Sequence, residues 1–126
     1  MFTTLIKVAI GGAIGASLRY MSGVAVARLF GAAGFPLGVI FVNVIGSGLM
    51  GALFVWLAHR GLTHWNPFLM TGVLGGFTTF SAFSLEAYTL WERGQVGQAA
   101  IYVGVSVFVS LAALVAGIHL MRALLA

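Results

Sequence analysis

Four long apolar segments, separated by short polar loops, take up nearly the whole of this sequence. They cover about residues 4–28, 36–58, 66–91 and 96–124. A helix needs about 20 apolar residues to cross about 30 Å of hydrocarbon, so each segment is long enough to span a membrane. We predict an all-α membrane protein with one four-helix transmembrane domain over residues 1–126.

The composition supports lipid as the solvent and excludes several functions. Hydrophobic residues make up 61% of the chain and charged residues 6%, whereas soluble domains have about 25% charged residues. The six basic residues are scattered, so no nucleic-acid partner is expected. The chain has no cysteine, which excludes thiol catalysis. No nucleophile–base pair and no metal-ligand spacing stands out, so the sequence argues against an enzyme.

The charges at the ends of the spans give no preferred orientation. Three basic residues fall at each side of the predicted bundle, Lys7, Arg60 and Arg122 at one and Arg19, Arg28 and Arg93 at the other. Because the two sides have equal numbers of basic residues, the positive-inside rule predicts no preferred orientation. We predict that copies insert both ways and pair as an antiparallel, dual-topology homodimer with a two-fold axis in the membrane plane. A single orientation, decided by charges outside this count, is the alternative.

A row of hydroxyl groups follows the fourth span. Tyr102, Ser106 and Ser110 are four residues apart, so a helix brings them to one face. Each serine could simply bond the carbonyl one turn earlier. A row of O–H donors would equally suit a small anion that must shed its water. The sequence leaves both interpretations open.

Other polar side chains also fall within the spans, where they are costly. Asn43 is either a contact between helices or part of a polar path. Arg19 either extends to the membrane surface or lies in a water-filled vestibule that attracts anions. Glu86 would repel an anion if it were ionised, so we expect it to be paired, protonated or at an edge.

The third span contains GGFTTFSAFSLE, which is poor helix material at its start. We predict that the helix breaks at residues 75–79, near mid-membrane. Irregular backbone at that depth persists only inside protein or against a cavity, and it offers free carbonyls to cations and free N–H groups to anions. Beyond the break, Phe80 and Phe83 lie on one face with Ser81 beside them. Their ring edges are electropositive, although packing alone would also explain them.

Taken together, these residues resemble the CrcB/Fluc family of fluoride channels. The resemblance covers the whole chain through GGAIGASLRY, FVNVIGSGLMG, GGFTTFSAFSLE and the hydroxyl row of the fourth span. It implies small four-helix proteins that form antiparallel dimers with two fluoride pores. It also implies passive, fluoride-selective export from the cytoplasm across the plasma (inner) membrane of a prokaryote.

The resemblance also implies roles for individual residues. The fluoride pore would involve Phe80, Phe83, Asn43, Tyr102, Ser106, Ser110, Ser81 and Thr79, with Arg19 near the vestibule. The backbone carbonyls of Gly75 and Thr78 from each subunit would hold a structural sodium ion at the dimer interface. The chain departs from the family pattern at Ala82, where threonine is usual, so no side-chain ligand is expected there.

Two other functions compete with a channel. A proton-coupled exporter of the small multidrug resistance type shares the size and the balanced charges, but its mechanism needs a carboxylate in the first span. The ionisable residues of that span are Lys7, Arg19 and Arg28. A membrane assembly subunit without transport would explain close helix packing, but not the row of hydroxyl groups.

Overall fold

The computed structural model describes residues 1–31 and 34–126. All regular structure in this part of the chain is helical. The α-helices are α1 (Phe2–Phe30), α2 (Leu37–His59), α3 (Gly75–Phe77), α4 (Phe80–Glu92) and α5 (Val96–Leu125). A 3-10 helix, Thr63–Trp65, and a π-helix, Pro67–Leu74, precede α3.

Four helical segments are long and apolar enough to cross a membrane. Three of them are α1, α2 and α5, and the other is the composite segment Thr63–Glu92, which contains the π-helix, α3 and α4. The four predicted hydrophobic helices are therefore confirmed. Two helices begin at or just after a proline: Pro36 precedes α2, and Pro67 is the first residue of the π-helix. Proline suits these positions, since the N–H that it lacks would have no helical partner there.

Glycines let α1 approach the composite segment closely. A Cβ atom on Gly72 would lie 2.9 Å from the Cα of Gly11, and one on Gly76 would lie 2.7 Å from the carbonyl oxygen of Gly12. A Cβ atom on Gly15 would collide with the carbonyl oxygen of Val73. In lipid, helices associate through such close packing of small residues. The glycines on each side of this contact, Gly11 and Gly15 of α1 and Gly72 and Gly76 of the composite segment, are four residues apart and so lie on one helix face.

The helices α2 and α5 make a second close contact of the same kind. A Cβ atom on Gly51 would collide with the carbonyl oxygen of Leu114, and one on Gly117 with that of Gly48. Positions rise together along the two helices, so α2 and α5 run parallel. This contact places Asn43 of α2 beside the hydroxyl-bearing face of α5.

The composite segment is interrupted between α3 and α4. Thr78 has φ −86° and ψ 160°, and Thr79 has φ −150° and ψ 121°, so both residues are extended. The sequence predicted an opening over residues 75–79, but Gly75 and Gly76 are helical. These glycines are poor helix formers by themselves, yet close packing of Gly76 on α1 favours the helix there.

Much of the apolar surface of the chain faces outward. Phe80 and Phe108 are 77% and 74% exposed, and large apolar side chains are exposed along all four segments. Such a surface needs lipid or another protein chain to cover it. The small buried core includes Leu90, Ala99 and Tyr102, where α4 packs on α5.

Candidate functional site

Asn43 closes the gap that the interruption leaves in the backbone hydrogen bonds. Its Nδ2 donates to the carbonyl oxygen of Thr79 at 3.0 Å, and its Oδ1 accepts from the N–H of Thr79 at 2.8 Å. The primary amide has a donor and an acceptor side by side, so it can pair with both backbone groups of one extended residue. Asn43 therefore connects α2 directly to the interruption, while leaving its second N–H free.

Arg19 bonds the interruption from the side of α1. Its Nε donates to the carbonyl oxygen of Gly76 at 3.1 Å. In a continuous helix this carbonyl would accept from residue 80, but the extended backbone at Thr78 and Thr79 removes that partner. The positive charge also lies at the C-terminal end of α3, where the helix dipole favours a cation.

Threonine hydroxyls organise both sides of the interruption. The Thr78 Oγ1 donates to the carbonyl oxygen of Leu74 at 3.0 Å. The Thr79 Oγ1 accepts from the N–H of Ala82 at 3.1 Å, which makes Thr79 the N-cap of α4. It also lies 3.3 Å from the Oγ of Ser81. The start of α4, and thus the direction of the Phe80 side chain, is fixed by this cap.

Three backbone carbonyls at the interruption, those of Gly75, Phe77 and Thr78, remain outside this network within the described chain. None of the hydrogen bonds that cross the interruption ends on the carbonyl oxygen of Gly75 or of Thr78 within the described chain. The N–H that Gly75 would normally bond belongs to Thr79, and Asn43 has taken it. Gly75 is also exposed on the surface of the single chain. Within the described residues, these carbonyl oxygens are available to bind a cation or to accept from a hydrogen-bond donor.

The hydroxyl row of α5 has no hydrogen-bond partners among the described residues. Tyr102 is fully buried and Ser106 is 5% exposed. The hydroxyl oxygens of Tyr102, Ser106 and Ser110 are buried, and none has a partner in residues 1–31 and 34–126. By contrast, the Ser17 and Ser84 hydroxyls do bond the carbonyl four residues earlier. Ser106 and Ser110 therefore do not make the hydrogen bond to the preceding turn that would have explained them without a ligand.

A groove of about 370 Å³ brings most of the predicted pore residues together. Helices α2, α4 and α5 and the interruption form its wall, and the predicted residues that line it are Asn43, Thr79, Phe80, Phe83, Ser106 and Ser110. Thr78 lines it as well. Arg19 instead lines a separate groove of about 340 Å³ between α1, α2 and α4, and Thr79 borders both grooves.

Tyr102 lies behind the groove as part of a row of aromatic rings. The centroids of Phe80 and Phe83 are 5.3 Å apart, and Phe83 stacks on Tyr102 with centroids 5.5 Å apart and planes at 27°. The row leads from an exposed ring at Phe80 to a fully buried ring at Tyr102. Ser81 does not line the groove, although its hydroxyl is beside the Thr79 cap.

Sequence reasoning missed two residues around this site. Gly46 makes room for the interruption, because a Cβ atom there would collide with the Cγ2 of Thr78. A signal for it existed, since Gly46 follows Asn43 by three residues and so lies on the same helix face. Phe35 touches Tyr102 from the loop before α2, with ring centroids 5.7 Å apart. No local pattern points to Phe35, because the contact joins residues far apart in the chain.

The fold and this site define a class of protein. It is a small, multi-pass membrane protein, with an interrupted third helical segment and a groove lined by hydroxyl groups and aromatic rings. A family model described as CrcB-like protein, Camphor Resistance (CrcB), matches residues 6–118. The chain belongs to this family.

Several named proteins are similar to the chain over nearly its whole length. A protein of Ruegeria sp. (strain TM1040), called fluoride-specific ion channel FluC, is 62% identical over 125 residues, which cover 99% of both chains. The FluC protein of Roseobacter denitrificans is 60% identical over 94% of this chain and 95% of its own. That of Caulobacter vibrioides is 49% identical over 94% of each chain.

Proposed function

We propose that the chain forms a passive channel, selective for fluoride, and is not an enzyme. The observation that carries the proposal is the pair of buried hydroxyl groups, Ser106 and Ser110, which line the groove and have no hydrogen-bond partner in the part of the chain that the structure describes. The names of the relatives support fluoride as the ion. Unpaired hydroxyl donors in the groove of a membrane protein are available to an ion that passes through it.

The chemistry of the groove suits a small anion that loses its water. Serine hydroxyls donate hydrogen bonds, and the free N–H of Asn43 offers another donor. The rings of Phe80 and Phe83 can present electropositive edges. No Lys or Arg side chain is among the residues that line the groove. Conduction requires binding that is strong enough for entry and weak enough for release, which neutral donors provide better than a full positive charge.

A second copy of the chain completes the pore in this proposal. The groove is open on one side, and Phe80 at its edge is 77% exposed. An antiparallel homodimer would cover this edge and produce two equivalent pores, with the interruption near mid-membrane. Arg19 is bonded beside the interruption, so the basic residues near the ends of the spans number three on one side and two on the other. So small a difference gives little orientational preference, which supports insertion in both orientations. We place the protein in the inner (plasma) membrane of a prokaryote.

The free carbonyls of Gly75 and Thr78 fit a structural sodium ion at the dimer axis. Unwound backbone carbonyls and the C-terminal ends of half-helices are common ligands for sodium in membrane proteins. Among the residues described, no cluster of three His, Cys, Asp or Glu side chains could hold a metal ion, so the ligands would be neutral oxygens. When bound, the ion would join two copies of the interruption and neutralise the negative ends of two α3 helices.

Flux measurements in liposomes test the proposed function. Purified protein is reconstituted in vesicles loaded with potassium fluoride or potassium chloride, and valinomycin sets the potential. We expect fluoride efflux and no chloride efflux. Phe80→Ile and Phe83→Ile should reduce the fluoride efflux while the dimer persists in size-exclusion chromatography. Phe54→Ile is the matched control, because Phe54 is an exposed α2 residue outside the groove. Absence of fluoride efflux from the unmodified protein would refute the proposal.

A further inference from the structure

Phe35 adds a fourth ring to the row of Phe80, Phe83 and Tyr102, and it was not among the predicted pore residues. Its ring meets that of Tyr102 at 83° with centroids 5.7 Å apart, while Phe83 stacks on Tyr102 at 27°. Tyr102 is therefore held between a parallel ring from α4 and a perpendicular ring from the loop before α2. Edge-on and offset-stacked pairs are the two favoured arrangements of aromatic rings.

The backbone next to Phe35 forms a tight turn. The N–H of Leu37 donates to the carbonyl oxygen of Phe35 at 2.9 Å across Pro36. Pro36 has φ −81° and ψ 78°, so these three residues form an inverse γ-turn. Proline restricts φ at the centre of this turn, and α2 begins at the next residue. Phe35 is thereby attached rigidly to the start of a transmembrane helix.

Packing alone determines where the Tyr102 hydroxyl lies. The ring is fully buried, and its hydroxyl oxygen has no hydrogen-bond partner in the described residues. The oxygen lies on the long axis of the ring, so a tilt of the ring would displace the oxygen. The neighbours that oppose such a tilt are Phe83, Phe35 and the cluster of Leu90 and Ala99.

We propose that Phe35 is a positioning residue for the channel, which restrains the ring of Tyr102 and thereby the position of its hydroxyl group. It acts through Tyr102 and does not line the groove. This inference rests on the proposed function for its transport readout. Its structural part, the restraint on Tyr102, can be measured without transport.

The transport test compares three variants in the fluoride efflux assay. Phe35→Leu keeps an apolar side chain but removes the ring, and it should slow the efflux about three- to tenfold, the range that corresponds to loss of one edge-on aromatic pair. Phe35→Tyr retains the ring and should restore most of the rate. Phe54→Leu, an exposed position on α2 without an aromatic partner in the described chain, should leave the rate unchanged.

A double-mutant cycle decides whether Phe35 acts through Tyr102. In a Tyr102→Phe background there is no hydroxyl to position, so Phe35→Leu should cause less than about a twofold further loss. An equal loss in both backgrounds would overturn the proposal, because Phe35 would then act by another route. If Phe35→Leu does not fold, Phe35→Met takes its place in the cycle.

A spectroscopic readout separates this proposal from the proposed function. The chain has three tyrosines, and Tyr20 and Tyr88 are 74% and 56% exposed, so the buried Tyr102 should give a distinct signal in a protein with ¹³C-labelled tyrosine rings. Phe35→Leu should shift and broaden that signal, whereas Phe54→Leu should not. An unchanged Tyr102 signal overturns the proposal. Absence of fluoride efflux in unmodified protein would refute the channel function, while the tyrosine signal would still test the restraint.

Discussion

Asn43 and Thr79 exchange two hydrogen bonds, 3.0 Å and 2.8 Å long, between a side-chain amide and one extended backbone residue. The pair stabilises irregular backbone within a hydrophobic segment, where unpaired N–H and C=O groups are costly. It also uses the N–H that would otherwise bond the Gly75 carbonyl. One side chain thus preserves the interruption and leaves a backbone oxygen exposed.

Replacing Asn43 by leucine should destabilise the protein through the backbone. The volume is similar, but both polar groups of Thr79 lose their partner, at about 1–3 kcal/mol for each buried group. We expect a lower melting temperature in detergent, together with weaker fluoride efflux. Ser47→Ala is the control for the melting temperature, since Ser47 lies one turn further along α2 and takes no part in the hydrogen bonds to Thr79. Equal melting temperatures for Asn43→Leu and the unmodified protein would contradict the structural role of Asn43.

Removing the hydroxyl of Ser106 should slow transport without lowering stability. The buried hydroxyl has no partner in residues 1–31 and 34–126, so Ser106→Ala loses no internal hydrogen bond and should keep or raise the melting temperature. The same change should slow fluoride efflux about tenfold, because a hydrogen bond to a charged ion is lost. Ser84→Ala, which removes a hydroxyl bonded within its own helix, should not slow the efflux. A destabilised Ser106→Ala with normal efflux would show that the hydroxyl serves packing.

Two glycine substitutions should have opposite effects on stability. Gly51→Ala introduces a Cβ atom that collides with the Leu114 carbonyl and should cost about 1–3 kcal/mol through overpacking. Gly104→Ala has open space in the single chain and should raise the helix stability by up to about 1 kcal/mol. Thermal unfolding monitored by circular dichroism measures both. A stabilised Gly51→Ala would contradict the close contact of α2 with α5.

Arg19 should matter for stability because of its hydrogen bond. Arg19→Met keeps much of the apolar stem but leaves the Gly76 carbonyl without its donor, and it should cost about 1.5–3 kcal/mol, as for other bonds to charged groups. Arg28→Met, at an exposed position of the same helix, should cost far less. Thermal unfolding of the two variants side by side provides the comparison. Equal losses would mean that the Arg19–Gly76 bond adds nothing.

Sodium removal should weaken the dimer if the carbonyls of Gly75 and Thr78 bind the ion. A ligand at 100 times its dissociation constant stabilises the bound state by about 2.7 kcal/mol. We expect the melting temperature to fall when sodium is replaced by N-methylglucamine at constant ionic strength. Gly104→Ala, far from the interruption in sequence, should keep the full response. A melting temperature independent of sodium would refute the metal site.

The hydrophobic helices were predictable because each follows from local composition. Mean hydropathy over a membrane-length window identifies a span without knowledge of its neighbours. The hydroxyl row of α5 was also predictable, since a spacing of four residues on one helix determines a shared face. Pro36 and Pro67 stand at the start of α2 and of the π-helix for equally local reasons.

The details of the interruption were not predictable, because distant partners decide them. Glycine has a low helix propensity, which suggested an opening at Gly75 and Gly76, but packing against α1 favours helix at Gly76. The extended residues are Thr78 and Thr79 instead, and the amide that stabilises Thr79 comes from α2, 36 residues away. The bond of Arg19 to Gly76 likewise spans 57 residues.

The π-helix at Pro67–Leu74 has a consequence for how the family can vary in length. Its hydrogen bonds close wider turns, from each residue to the fifth along the chain, so it contains surplus chain relative to an α-helix. Deleting one residue there would tighten the turns into an α-helix and leave α3 and the interruption where they are. The loss of one residue from α5 would instead rotate the hydroxyl groups beyond it by about 100°. Among the helical segments, this part of the third one is therefore where the chain can best absorb the deletion of a residue.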